Sequence, residues 1–208
     1  MPFTLEEFLA VFGRYNLDVW PVQVFMIFLA VGMVALAYRG KPTPSRMVNL
    51  MLGAFWIWMG LVYHILYFSD INKAAYIFGL LFIAQGFLFG YQALVHRQGV
   101  IYGRPSSLKA VAAWAFIGYA LLVYPALSVA FGHTYPEMPT FGLPCPTTIF
   151  TFGLLMFSVG RIPRYLLLIP FLWSLLGFSA AMGLGIYEDF GLVVAGVAGS
   201  ALLVFKKR

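Results

Sequence analysis

The chain has 208 residues, 62% of them apolar and only 10% charged, with a net charge of +6 and a mean hydropathy of +0.89. A soluble domain carries about 25% charged residues, so this composition excludes a water-facing globule and points to repeated membrane spans. The basic residues form no cluster, which argues against nucleic acid as a partner, and the single Cys excludes an internal disulfide.

Residues 1–17 carry Glu6 and Glu7 where a signal peptide would have a basic region. Thr4 and Glu7 fit a capping box, and Leu5, Phe8, Leu9 and Phe12 follow at i, i+3, i+4, i+7. The segment therefore predicts a short amphipathic helix lying on the membrane surface. Beyond it, residues 19–205 predict seven spans, at about 19–38, 47–68, 74–95, 110–131, 146–159, 165–186 and 190–205. The fifth and seventh reach only about 20–25 Å at 1.5 Å per residue, short of a roughly 30 Å hydrocarbon core. Local thinning or a hollowed region would accommodate them.

Charge favours the seven-span count. It gathers Arg39, Lys41, Arg46, Arg97, Arg104, Lys109, Arg161, Arg164, Lys206, Lys207 and Arg208 on one side, eleven of the 13 basic residues and none of the seven acidic ones. The other side receives Arg14 and Lys73 with all the carboxylates. By the positive-inside rule the amino end lies outside and the carboxyl end in the cytoplasm. The expected fold is thus an all-α integral membrane domain over residues 1–208.

Trp56-x-x-x-Gly60 and Trp173-x-x-x-Gly177 are offset by 117 residues, and the same offset carries Ile71-Asn72 onto Glu188-Asp189. A 3+1+3 parallel repeat, as in some sugar carriers, would produce this. Two helical hairpins with glycines at their contacts would produce it too.

The chemistry-bearing residues fall mostly on the outer side. Tyr63-His64 lies near the outer end of the second span, and an ionisable group inside a span is a functional candidate by default. Asn72 stands in the adjoining turn, and the long loop before the fifth span supplies His133 and Cys145. His64, His133 and Cys145 make a soft-metal set suited to a transition metal, though no ligand pair has the spacing that puts two donors on one face. For His64 the competing reading is a ring hydrogen-bonded to a neighbouring helix or to a Tyr. For Cys145 it is a small buried residue between two prolines. Gln23 and Gln85 with the indoles of Trp56 and Trp173 would suit a small uncharged solute, or simply hold helices together.

No carboxylate is expected within a span, which argues against ion coupling. No nucleophile–base pair is evident, which argues against an enzyme. The last span has no Lys for a retinal Schiff base.

Three segments carry a resemblance: PFTLEEFLAVFGRYN followed by WP, YHILYFSDINKAAYIFG, and FGLPCPTTIFTFG. Together they resemble a bacterial family of multi-pass inner-membrane proteins, domain of unknown function 6064. The resemblance implies an inner-membrane location and no particular activity. The sequence as a whole predicts an uncoupled carrier or channel for a small solute. Its outward-facing polar pocket would be formed by His64, Tyr63, Asn72, Gln23, Gln85, Trp56 and Trp173. The alternative is a metal- or haem-binding membrane protein using His64, His133 and Cys145. Partners expected are the lipid bilayer and the solute, with assembly into a homo-oligomer left open.

Overall fold

A computed structural model describes residues 2–96 and 99–205. Arg97, Lys206, Lys207 and Arg208, on which part of the charge asymmetry rests, lie outside the described residues. Helix α1 spans Leu5–Asp18 and is opened by the capping box: the Thr4 hydroxyl accepts from the Glu7 amide at 3.2 Å, and the Glu7 carboxylate accepts from the Thr4 amide at 2.8 Å. Helix α2, Val22–Arg39, ends at Gly40, whose φ of +67° suits a residue without Cβ. Helix α3, Pro42–Trp58, starts with proline in its first turn. It continues without a break as a π-helical stretch, Met59–Tyr67, and a short 3-10 turn, Phe68–Asp70.

Helix α4 is Ala75–Leu94. Helix α5, Ser107–Gly118, runs through a second π-helical stretch, Tyr119–Val123, into α6, Tyr124–Ala130. Helix α7 is Pro144–Leu155, α8 is Tyr165–Leu184 and α9 is Phe190–Val204. Among the described residues the fold is all-helical apart from isolated bridges. Among the described residues six helices are long and apolar enough to cross a membrane: α2, α3 with its extension, α4, α5–α6, α8 and the stretch Tyr187–Val204 that contains α9. The chain is accordingly a multi-pass membrane protein.

Helix α7 is the short one, about 18 Å at 1.5 Å per residue. Its residues are buried almost all the way round, including Thr147, Thr148, Ile149, Phe150, Thr151 and Phe152. An apolar helix without a polar face belongs in a core, and α7 packs between α5 and α9 rather than against lipid. It begins beside the turn that holds Asp189 and ends where Phe157 accepts from the Gly103 amide at 2.8 Å.

That second end of the bundle is closed by the segment 99–104, which folds inward. Tyr102 is fully buried and donates its hydroxyl to Asn49 at 2.8 Å, while Asn49 donates to the Val100 carbonyl at 3.1 Å and Gln92 accepts from the Val100 amide. Burial pushes the Tyr102 phenol well above its ordinary range. Arg104 stacks over Tyr38 at 5.0 Å from the ring centroid. The polar residues of this region thus satisfy backbone that would otherwise be orphaned in an apolar setting.

Helices α3 and α4 form a tightly packed hairpin. A Cβ on Gly60 would come within 2.6 Å of the Gly79 carbonyl oxygen, and one on Gly79 within 2.7 Å of Ile65 Cγ1. Gly53 and Gly86 repeat the arrangement one step along. The 117-residue offset carries over to packing only in part, since α3 packs on α4 as α8 packs on α9. Helix α2 packs chiefly on α3, whereas within its own triplet α7 packs chiefly on α9.

Helix α1 forms as expected, and part of its apolar stripe packs on the protein while Leu5 is 36% exposed. Phe8 meets Phe68 at 5.7 Å and Phe12 meets Tyr63 at 6.0 Å between ring centroids. The helix lies across the end of the bundle as a cover, with its rings on the aromatic residues of the α3 extension.

Candidate functional site

Beneath α1 lies a cavity of about 250 Å³. Its walls come from the amino-terminal segment, the α3 extension, and the facing ends of α6, α7, α8 and the 187–189 turn. Most of the lining is apolar: Phe3, Phe8, Phe12, Phe68, Phe78, Leu143, Leu176 and several prolines. The polar groups in it are Tyr63, Asn72, Tyr124, Cys145, Trp173, Ser179 and Asp189. The cavity takes in Tyr63, Asn72 and Trp173 of the expected polar pocket, and its lining is mostly apolar, in part because α1 contributes the rings of Phe8 and Phe12.

Two departures from α-helical geometry shape the cavity. The π-helical stretch 59–67 turns both Tyr63 and His64 inward, 2% and 0% exposed, and the stretch 119–123 immediately precedes Tyr124. Such widened turns recur at functional sites because they re-aim side chains that a regular helix would point elsewhere.

Of the expected solute-binding residues, Tyr63, Asn72 and Trp173 line the cavity together. Asn72 also accepts from the Ala74 amide at 3.0 Å, closing a local turn just before α4. His64 sits just behind the wall, enclosed by the rings of Phe82, Tyr63, Trp173, Phe68 and Phe78 at centroid distances of 4.6–6.0 Å. Neither of its ring nitrogens has a hydrogen-bond partner. The hydrogen bond expected of a packing histidine is therefore not made.

Gln23, Gln85 and Trp56 stand elsewhere and hold the fold. Gln23 donates to the Asn16 carbonyl at 2.8 Å, Gln85 donates to the Leu166 carbonyl at 3.0 Å, and the Trp56 indole donates to Thr151 at 3.2 Å. They do not reach the cavity.

The expected soft-metal residues are dispersed. Cys145 lines the cavity, His64 lies behind its wall, and His133 pairs with Glu188 through Nδ1 at 2.9 Å. Among the described residues no three His, Cys, Asp or Glu side chains converge to hold a metal ion.

The residues that sequence reasoning missed are Glu188 and Asp189. Both are buried, 0% and 4% exposed, at the start of a stretch apolar enough to cross a membrane. Glu188 accepts from Ser128 at 2.9 Å as well as meeting His133, and its backbone carbonyl accepts from the Tyr119 hydroxyl at 2.7 Å. Asp189 accepts from the Tyr124 hydroxyl at 2.6 Å, with the Cys145 thiol beside it. Both acids belong to the 187–189 turn that precedes α9, and it is their burial, not a place inside the helix, that the sequence does not announce. These two were read as loop residues because two adjacent acids at a span boundary look solvated until their partners on α6 and the 131–143 segment are in place.

Asn16 anchors α1 over the cavity. It is fully buried, donates to the carbonyls of Pro136 at 2.6 Å and Met138 at 2.8 Å, and accepts from Thr140 at 2.6 Å. Tyr15 accepts from the Trp58 indole at 2.8 Å. Burial raises the Tyr15 phenol well above its ordinary range, against the opposing pull of that bond.

No curated protein and no solved structure matches the chain. Residues 5–208 match the family of unknown function DUF6064, and the chain belongs to that family.

Proposed function

We propose that the protein is a membrane carrier or channel for a small solute, held in the cavity beneath α1. The observation that supports this reading is the cavity itself: a chamber of about 250 Å³ at one end of a helical bundle, with a few polar groups set in apolar walls. Solute sites are built this way, apolar for most of their area with a small number of oriented polar contacts. The reading is without ion coupling, and the two carboxylates buried in the turn before α9 make coupling part of the test.

Seven crossings, with the cavity outside and the carboxyl end in the cytoplasm, complete the proposal. The short α7 serves as the extra crossing because its neighbours shield it from lipid along its length. The loops at 40–41, 99–106 and 156–164 share one end of the bundle with the described basic residues Arg39, Lys41, Arg104, Arg161 and Arg164. The bacterial inner membrane is the proposed location. The Trp-Gly correspondence between the two halves is taken as two hairpins with similar glycine contacts.

Uptake into proteoliposomes decides the matter. A panel of small labelled solutes, with and without an imposed pH gradient, should include one whose entry depends on the protein and falls in Trp173→Ala. Entry equal to that of protein-free vesicles for every solute would end the carrier reading. A reporter fused after Arg208 should be active in the cytoplasm; activity in the periplasm would end the seven-crossing topology.

A further inference from the structure

Taking the cavity as a solute site, we infer that its occupant is a neutral amphiphile, an apolar body ending in one hydroxyl group, such as an aliphatic-chain alcohol or a phenol. The walls ask for the apolar body: Phe8, Phe12, Phe68, Phe78 and Leu176 offer no hydrogen bonds, and a strongly polar molecule would lose its hydration among them.

The head group is set by two side chains with opposite demands. The Trp173 Nε1–H is buried without a hydrogen-bond partner on a residue only 9% exposed, and an indole N–H can only donate. Asp189 lines the same cavity and already serves as an acceptor for Tyr124. The Cys145 thiol neighbours both. Sulfur accepts only weakly, so it does not meet the need of the indole.

One hydroxyl answers both demands from a single atom: its lone pair accepts from Trp173 while its proton bonds to the carboxyl of Asp189. An ammonium head would suit Asp189 but leave the indole without an acceptor. A carboxylate head would set oxygen against oxygen at Asp189. A hydrocarbon would fill the walls and leave both polar groups unmet, the situation in which a buried site rejects its ligand most strongly.

The test compares three probes of one shape, 3-phenylpropan-1-ol, 3-phenylpropylammonium and propylbenzene, by equilibrium dialysis against the protein in lipid nanodiscs, with empty nanodiscs subtracted. The alcohol should bind at least about tenfold more tightly than either analogue, as two extra hydrogen bonds predict. In Trp173→Phe, which keeps the ring and loses the N–H, that preference over propylbenzene should shrink several-fold while propylbenzene itself is unaffected. In Leu176→Trp, which fills the cavity from its wall, all three should lose binding. Gel filtration establishes that each variant is folded, and the wild-type ranking alone decides if one is not. Equal or tighter binding of the ammonium or the hydrocarbon overturns the hydroxyl inference and leaves the solute site standing. Binding that survives Leu176→Trp undiminished places the probes elsewhere and overturns it too. Absence of binding by all three also overturns it, while the uptake panel above judges the carrier reading separately.

Discussion

His64 and Trp173 meet edge to edge-on face with ring centroids 5.1 Å apart, and neither gives the other a hydrogen bond. Two polar rings are thus buried side by side with their N–H groups unmet, one in the cavity wall and one directly behind it. Leaving such a group unpaired costs about 1–3 kcal/mol, so a sequence selected for stability alone would place a phenyl ring at position 64. We expect His64→Phe to fold and to match or exceed the wild-type melting temperature in detergent, while His64→Ala, which also opens a void, loses about 2–4 kcal/mol. Solute uptake should fall in His64→Phe despite its stability. Full uptake there would mean that the imidazole has no part in transport.

The glycine contacts of the α3–α4 hairpin yield a second expectation. A methyl at Gly60 would press on the Gly79 backbone carbonyl, which cannot move without parting the helices, whereas Gly90 on α4 has nothing within 4 Å of its would-be Cβ. Gly60→Ala should therefore destabilise the protein by about 1–3 kcal/mol, the range for overpacking a tight contact. Gly90→Ala should be neutral or slightly stabilising. Paired melting curves check this, and equal effects would remove the close approach as a determinant of the hairpin.

Glu188 carries a third. Its carboxylate is fully buried between Ser128 and His133, so it ties α6 and the start of the 132–143 loop to the turn before α9. Glu188→Ala leaves a buried hydroxyl and an imidazole without their acceptor and should cost about 3 kcal/mol. Glu188→Gln keeps an acceptor oxygen in place and should recover much of that. Limited proteolysis of the 132–143 loop reads the difference directly: rapid cleavage is expected in the alanine variant alone. If both variants resist cleavage equally, the loop is held by Asn16 and not by Glu188.

How much of this could be read beforehand differs from residue to residue. The helices were legible because apolar runs in a chain with 10% charged residues have few other uses, and the capping box at Thr4 marked the start of α1 to the residue. Tyr63, Asn72 and Trp173 were found from their polarity in apolar surroundings, and they do share a wall. Gln23, Gln85 and Trp56 gave the same signal and serve the fold instead, since an amide that braces a neighbouring carbonyl looks, along one chain, like an amide awaiting a solute. The aromatic face of α1 was visible, but its partner was not: Phe12 finds Tyr63 across 51 positions because a π-helical turn redirects that tyrosine, and nothing in local periodicity announces a π turn. Asp189 was hidden for a related reason. Its neighbours Tyr124 and Cys145 come from two other helices, and only tertiary packing converts a boundary acid into a cavity wall.

The attachment of α1 offers the last expectation, because two polar contacts of similar length hold it very differently. Arg14 meets Asp70 at 2.6 Å, but both side chains are about half exposed, 49% and 53%. Water competes for each charge there, and such pairs contribute under about 1 kcal/mol. Asn16, two residues along, is fully buried and holds two carbonyls and a hydroxyl of the 136–140 segment. Those groups have no water to turn to when the amide is removed, so the full penalty of leaving them unmet applies. Asn16→Ala should therefore cost about 2–3 kcal/mol and loosen α1 from the cavity mouth, speeding amide hydrogen exchange in residues 5–18. Arg14→Ala should change neither stability nor exchange appreciably. High salt, which screens the exposed pair, should likewise leave exchange in α1 unaltered. Faster exchange in salt or in Arg14→Ala would reverse the order of importance and make the ion pair the fastening of the cover.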